Sequence, residues 1–204
     1  MEHYGQSQPL SYNPQPPMLI LSSNSPRRKE LLQGLGIPFK VLVIQGIDES
    51  YPETLPASEI AEYIAVKKAE PYSGTLAGTD NIVLTADTVV VLGDSVMGKP
   101  ADEQDAYRML RELSGKTHQV YTGVCLTSNK AQKHFTVCTD VTFRMLSDEE
   151  IWQYIHQYRP MDKAGAYGIQ EWIGYIGITG INGSYYNVMG LPVQRIYEEL
   201  RLMS

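Results

Sequence analysis

Apolar runs with the period of a strand alternate along this chain with stretches of helical period, and their order predicts a mixed α/β architecture. Met18 to Leu21 reads as a short strand. Ser25 is placed to cap the helix that follows, with Pro26 at its first position and Leu31, Leu32 and Leu35 on its apolar face. Gly34, Gly36 and Pro38 end that helix, and Phe39 to Ile44 forms the next strand candidate before the acidic turn at Asp48 and Glu49. A helix beginning near Ser58 brings Ile60, Ile64 and Lys68 into one angular sector, with Lys68 at its far end. Asn81 to Leu92 then has strand character throughout, interrupted by Asp87.

Asp102 starts a helix whose core face is Ala106, Met109, Leu110 and Leu113, and Gly115 stops it. The runs His118–Thr127 and His134–Met145, with Ser128-Asn129-Lys130 near the turn, predict an antiparallel pair. Ser147 to Glu150 has the spacing of a capping box, and Ile151, Tyr154, Ile155 and Tyr158 supply the apolar face of the helix it opens. Pro160 closes that helix, and a last one from Pro192 carries Val193, Ile196, Tyr197 and Leu200.

Composition narrows the function classes. The chain has 204 residues, 43% of them hydrophobic, enough for one sizeable core or two closely joined lobes. Residues 1–17 are rich in Gln, Ser, Tyr and Pro and read as a flexible leader, leaving 18–204 as the folded domain. No segment has the apolar length to span a bilayer, so a cytoplasmic protein is expected. A net charge of -6 disfavours a nucleic-acid face or a polybasic membrane surface, while leaving room for a local anion pocket. Cys125 and Cys138 fall on the predicted strand pair and are expected to be reduced core residues.

Candidate chemistry concentrates in a few segments. Ser23-Asn24-Ser25-Pro26-Arg27-Arg28 joins hydroxyls and guanidiniums to a helix start, a combination suited to phosphate. A lone buried carboxylate is costly, so Asp87 requires a metal, a cation or strong donors beside it. Gly98-Lys99-Pro100 lacks the rest of a phosphate-binding P-loop, yet Lys99 lies just beyond the Asp87 strand. In Asp162 to Gln170, small residues separate Lys163, which can balance phosphate charge, from Gln170, whose amide can read a base edge.

Together, SNSPRRKELL, DES, VKKA, ADTVV, GKP, LSGKTHQVYTGV, DKAGAYGIQ and INGSYYNVMGLP resemble the Maf family of nucleoside triphosphate pyrophosphatases, from about Met18 to Leu200. The resemblance implies a Maf/ITPase-like α/β fold, with two lobes around a central elongated twisted sheet and a nucleotide cleft. It implies hydrolysis between the α and β phosphates, giving a nucleoside monophosphate and pyrophosphate. Within the family, Arg27, Thr88 and Gln170 match the positions associated with choosing dTTP and UTP, and modified pyrimidine nucleotides are further candidates. Asp87 matches the catalytic carboxylate, and Glu49 joins it as a second catalytic and metal-binding group. Ser23, Arg28, Lys68 and Lys99 match other substrate positions, and a divalent cation, with Mg²⁺ expected, and a homodimer are implied as well.

Two other functions use the same residues. A nucleotidyltransferase would replace water by a sugar phosphate, and a noncatalytic sensor would bind nucleotide without turnover. Acceptor-free incubation with dTTP separates hydrolysis from transfer, and nucleotide binding without turnover marks the sensor.

Overall fold

The computed structural model describes residues 17–203; the segment read as a leader, apart from Pro17, lies outside the described residues. In chain order the strands are β1 (Leu19–Leu21), β2 (Phe39–Val41), β3 (Ile82–Leu92), β4 (Ser95–Met97), β5 (Thr117–Ser128), β6 (Gln132–Phe143) and β7 (Ile178–Asn182). The helices are α1 (Pro26–Gly34), α2 (Ala57–Ala69), α3 (Ser73–Leu76), α4 (Glu103–Leu113), α5 (Asp148–Tyr158), α6 (Trp172–Gly177), α7 (Tyr185–Met189) and α8 (Val193–Met203). All seven strands join one mixed sheet in the order β2-β1-β3-β5-β6-β7, with β4 paired to β3 outside that path.

The free edge of β3 decides where a cleft can open. Along that edge β1 pairs in parallel with Ile82–Leu84, and β4 pairs antiparallel with Val90–Leu92. Neither strand covers the positions between, so Ala86 to Val89 line a gap in the sheet. Side chains alternate across a strand, so Asp87 and Thr88 leave opposite faces and converge only at such an edge.

The apolar packing divides at the same place. On one face, Ile82, Leu84 and Ala86 pack with Val124, Leu126 and residues of α1 and α8. Farther along that face, Val90 packs with Val120, Val141, Phe143 and residues of α4, α5 and α6. Between these cores lies the directly paired Thr88 and Thr122, whose hydroxyls are 2.9 Å apart. The two lobes are therefore two cores on three shared long strands.

Helix α2 spans the opposite face. It lies so close to β5 that a Cβ on Gly123 would stand 2.1 Å from Glu62 N. Gly123 pairs with Asp87 across the ladder, so the contact that seats α2 is beside the carboxylate. Ala61, Ile64 and Val89 pack together under the helix, and Thr85 Oγ1 donates to Ala65 O at 2.6 Å.

Most predicted elements appear within a residue or two, and the departures have physical causes. The strand expected over Phe39–Ile44 stops at Val41, where the chain leaves the sheet and is held by Tyr72, whose hydroxyl donates to Leu42 O and accepts from Ile44 N. The capping box at Ser147 is present. Cys125 is buried as expected, packed with Ala65 and Ala69 of α2, but Cys138 on β6, opposite Tyr121, is exposed. Among the described residues, no helix is long and apolar enough to cross a membrane.

His118 predicts a pH dependence of stability. It is fully buried on β5, with Nε2 2.7 Å from the Tyr167 hydroxyl and Nδ1 without a partner among the described residues. Burial pulls its pKa from 6.5 to about 4, against the opposing field of Asp140. The unfolded chain therefore binds a proton from pH 6.5 downward that the native state refuses, and stability is lost as pH falls from 6.5 towards 4. The full contribution is about 3 kcal/mol. In urea unfolding, His118→Gln should flatten the loss over this window; identical slopes in both proteins would assign the acid sensitivity elsewhere.

Candidate active site

Two contiguous cavities of about 340 and 350 Å³ open at the gap beside β3 and share Ser25, Arg27, Arg28, Glu49, Lys68, Lys99 and Asp162. Their linings include all ten residues expected from sequence: Asp87, Thr88, Lys163 and Gln170 in the first, Ser23 in the second, and Arg27, Arg28, Glu49, Lys68 and Lys99 in both. The first also has an apolar wall formed by Val90, Val120, Tyr167, Val188 and Met189. An apolar wall thus stands beside a set of charged side chains, most of which both cavities share.

The α2 spacing delivers Lys68 to the centre. Its Nζ lies 2.7 Å from Asp87 Oδ1 and 3.2 Å from Glu49 Oε1, and the Lys68 and Asp87 side chains are 15% and 16% exposed. This cation is what makes a carboxylate tolerable inside an apolar strand. The two carboxylates converge on the Lys68 ammonium, and their oxygens are of the kind that would suit a hard divalent cation. Among the described residues no group of three His, Cys, Asp or Glu side chains is placed to hold a metal, so the substrate would have to complete the shell.

The other cations differ in how fully they are engaged. Arg27 reaches Asp162 at 3.0 Å, joining α1 to the loop after α5. Burial works against ionisation of Asp162, but hydrogen bonds from Lys163 and Arg27 outweigh it and hold that carboxyl at about 2. Lys163 Nζ is already shared between Asp162 at 2.9 Å and Glu171 at 3.2 Å. Lys99 is exposed and makes no ion pair among the described residues, which leaves its charge open to a phosphate.

Arg28 was expected to balance phosphate charge, yet every nitrogen of its guanidinium is bonded to protein. Nε donates to Gly190 O at 2.8 Å, and the two terminal nitrogens donate to Ala86 O at 2.9 Å and Thr88 Oγ1 at 3.0 Å. It braces the open edge of β3 against α1 and the end of α7. Burial lowers its pKa, with the field of Asp87 opposing. The start of α1 is likewise less open than the sequence suggests: Ser25 Oγ accepts from Arg28 N, Ser23 Oγ accepts from Ser25 N, and Pro26 has no N–H to offer.

Some groups behind the site were not legible beforehand. Tyr154, read as core, donates its hydroxyl proton to Glu171 and accepts from Gly168 N at 3.0 Å, tying α5 to the loop that carries Lys163 and Gln170. Burial and the Glu171 carboxylate together push the Tyr154 pKa well above the usual phenol value. Gln170 Oε1 is buried without a partner among the described residues, leaving an acceptor at the cleft wall. The one sequence signal that could have pointed to this support is that Glu171 directly follows Gln170.

Comparison with known proteins fits this geometry. The Maf-like protein family model matches residues 18–203. A dTTP/UTP pyrophosphatase of Phocaeicola vulgatus is 62% identical over 90% of this chain and 94% of its own length. Those of Parabacteroides distasonis and Bacteroides thetaiotaomicron are 56% and 55% identical over the same shares. The crystal structure of the Mycobacterium abscessus nucleoside-triphosphatase, a dITP/XTP pyrophosphatase, overlays with a TM-score of 0.41 and 12% identity, over 91% of this chain and 95% of that one, too distant to weigh further. With a family match across the whole described domain and relatives of such identity, the chain belongs to the Maf family.

Proposed function

We propose that this chain is a nucleoside triphosphate pyrophosphatase that hydrolyses dTTP and UTP at the α,β anhydride. The observation that carries the reading is the Asp87–Lys68–Glu49 cluster in a cleft that also has an apolar wall. Its relatives named dTTP/UTP pyrophosphatase support the substrate choice. In this reading Thr88 and Gln170, which line the first cavity with its apolar wall, and Arg27, which lines both, choose the base, and Ser23 in the second cavity binds phosphate.

In this mechanism Asp87 positions a water molecule and takes its proton as the water oxygen attacks the α phosphorus, and the bond to the bridging oxygen breaks to release pyrophosphate. Lys68 fixes the direction of the Asp87 carboxylate through the 2.7 Å contact and stays close to the departing charge. Glu49 and Asp87 would hold a divalent cation, Mg²⁺ in this proposal, which neutralises phosphate oxygens when bound. Lys99 and Arg27 contribute fixed charge, and these contacts accelerate the reaction to the extent that they fit the transition state better than the substrate. A cytoplasmic homodimer belongs to the same proposal; the exposed rings of Tyr175 and Tyr186 support a protein-facing surface.

Purified protein with magnesium and no acceptor should turn over dTTP and UTP at least about tenfold more efficiently than ATP and GTP, a margin that one or two differential hydrogen bonds to the base supply. Equal turnover of all four would reject the pyrimidine assignment. Dependence on an added sugar phosphate would favour a nucleotidyltransferase, and tight binding without turnover a sensor.

A further inference from the structure

Glu49 sits where no regular element can place it. Residues 42–56 form neither strand nor helix, the Glu49 side chain is 55% exposed, and its one ion pair among the described residues is with Lys68 at 3.2 Å. Its two neighbours are held more closely. Asp48 Oδ1 accepts from Ser50 N at 2.9 Å and Asp48 Oδ2 accepts from Ser50 Oγ at 2.7 Å, which closes a tight turn across Glu49. Lys67 of α2 fastens that turn, its Nζ donating to Asp48 Oδ2 at 3.1 Å and to Ser50 O at 2.8 Å. Two consecutive residues of one helix thus grip the loop at three consecutive positions: Lys68 holds Glu49, and Lys67 holds the residues on either side of it.

We infer that Lys67, with Asp48 and Ser50, forms a clasp that places Glu49 for the reaction, and that Lys67 is a positioning residue acting through Glu49. Lys67, Asp48 and Ser50 are absent from the lining of both cavities, so the clasp works from behind the cleft wall. An ion pair as exposed as Lys67–Asp48, at 21% and 72%, adds little to global stability, so its effect belongs to the loop and the site. The inference rests on the role given to Glu49 above and adds the means by which an exposed loop carboxylate is kept at the ammonium it shares with Asp87.

Lys67→Met tests it, because methionine keeps an unbranched side chain and removes the ammonium. With dTTP and magnesium, kcat/KM should fall roughly tenfold, as loss of one charge-assisted hydrogen bond implies. The same substitution made in a Glu49→Gln protein, assayed at enzyme concentrations that keep its slow turnover measurable, should change kcat/KM by less than about twofold, because the group that Lys67 serves is already gone. Hydrogen exchange should quicken in the peptide spanning residues 45–51 of Lys67→Met and stay unchanged elsewhere. Asp48→Asn, which keeps an acceptor for Ser50 N and removes the charge that meets Lys67, should reproduce both results. An equal fall in the wild-type and Glu49→Gln backgrounds would overturn the inference, since Lys67 would then act on something other than Glu49. Full activity or unchanged exchange in Lys67→Met would overturn it as well. Unchanged turnover in Glu49→Gln alone would instead reject the role of Glu49, and the inference with it.

Discussion

Asp87→Asn is expected to lower kcat on the order of 10³-fold while leaving a folded protein, the range that loss of a positioned general base produces. Asparagine keeps the size of the side chain and an oxygen for Lys68, so the strand and the α2 contact have no steric reason to move. What disappears is the charge that accepts the water proton and meets Lys68 at 2.7 Å. Circular dichroism and a thermal melt should show native structure, while turnover of dTTP collapses and nucleotide binding changes much less. A folded Asp87→Asn protein with near-wild-type kcat would remove this carboxylate from the chemistry.

The second large effect is structural. Gly123→Ala should cost on the order of 3 kcal/mol, because the new methyl would meet backbone atoms of Ala61 and Glu62 that cannot rotate away. To admit it, α2 must lift from the sheet, and Lys68 rides on that helix. The variant should thus lose urea resistance and activity together, in contrast to Asp87→Asn, which loses activity alone. Wild-type stability in Gly123→Ala would mean that the helix does not sit as closely on β5 as described.

The contrast between these positions shows what a sequence can disclose. Asp87 was legible because a carboxylate in an apolar strand demands a partner, and Lys68 because four-residue spacing placed it on the buried face of a helix. Gly123 gave no such signal, since a glycine in a strand is ambiguous until the element crossing it is known. The same holds for Arg28: its charge suggested phosphate, but three protein acceptors from Ala86, Thr88 and Gly190 lie more than fifty residues away in sequence. Tyr154 looked apolar by periodicity, and only the fold brings its hydroxyl to Glu171. The short elements β4, α6, β7 and α7 were missed because three to six residues carry too little periodicity to distinguish a strand from a turn. Cys138 was misplaced because strand period fixes which face a residue takes and says nothing of whether that face is covered.

The hydrolytic claim is tested most directly by a quenched time course of dTTP with magnesium and no acceptor, with all nucleotide and phosphate products quantified. The proposed site predicts dTMP and pyrophosphate appearing together from the first time point in equal amounts, with no dTDP. Orthophosphate and dTDP appearing first would contradict it, placing the scissile bond at the terminal phosphate.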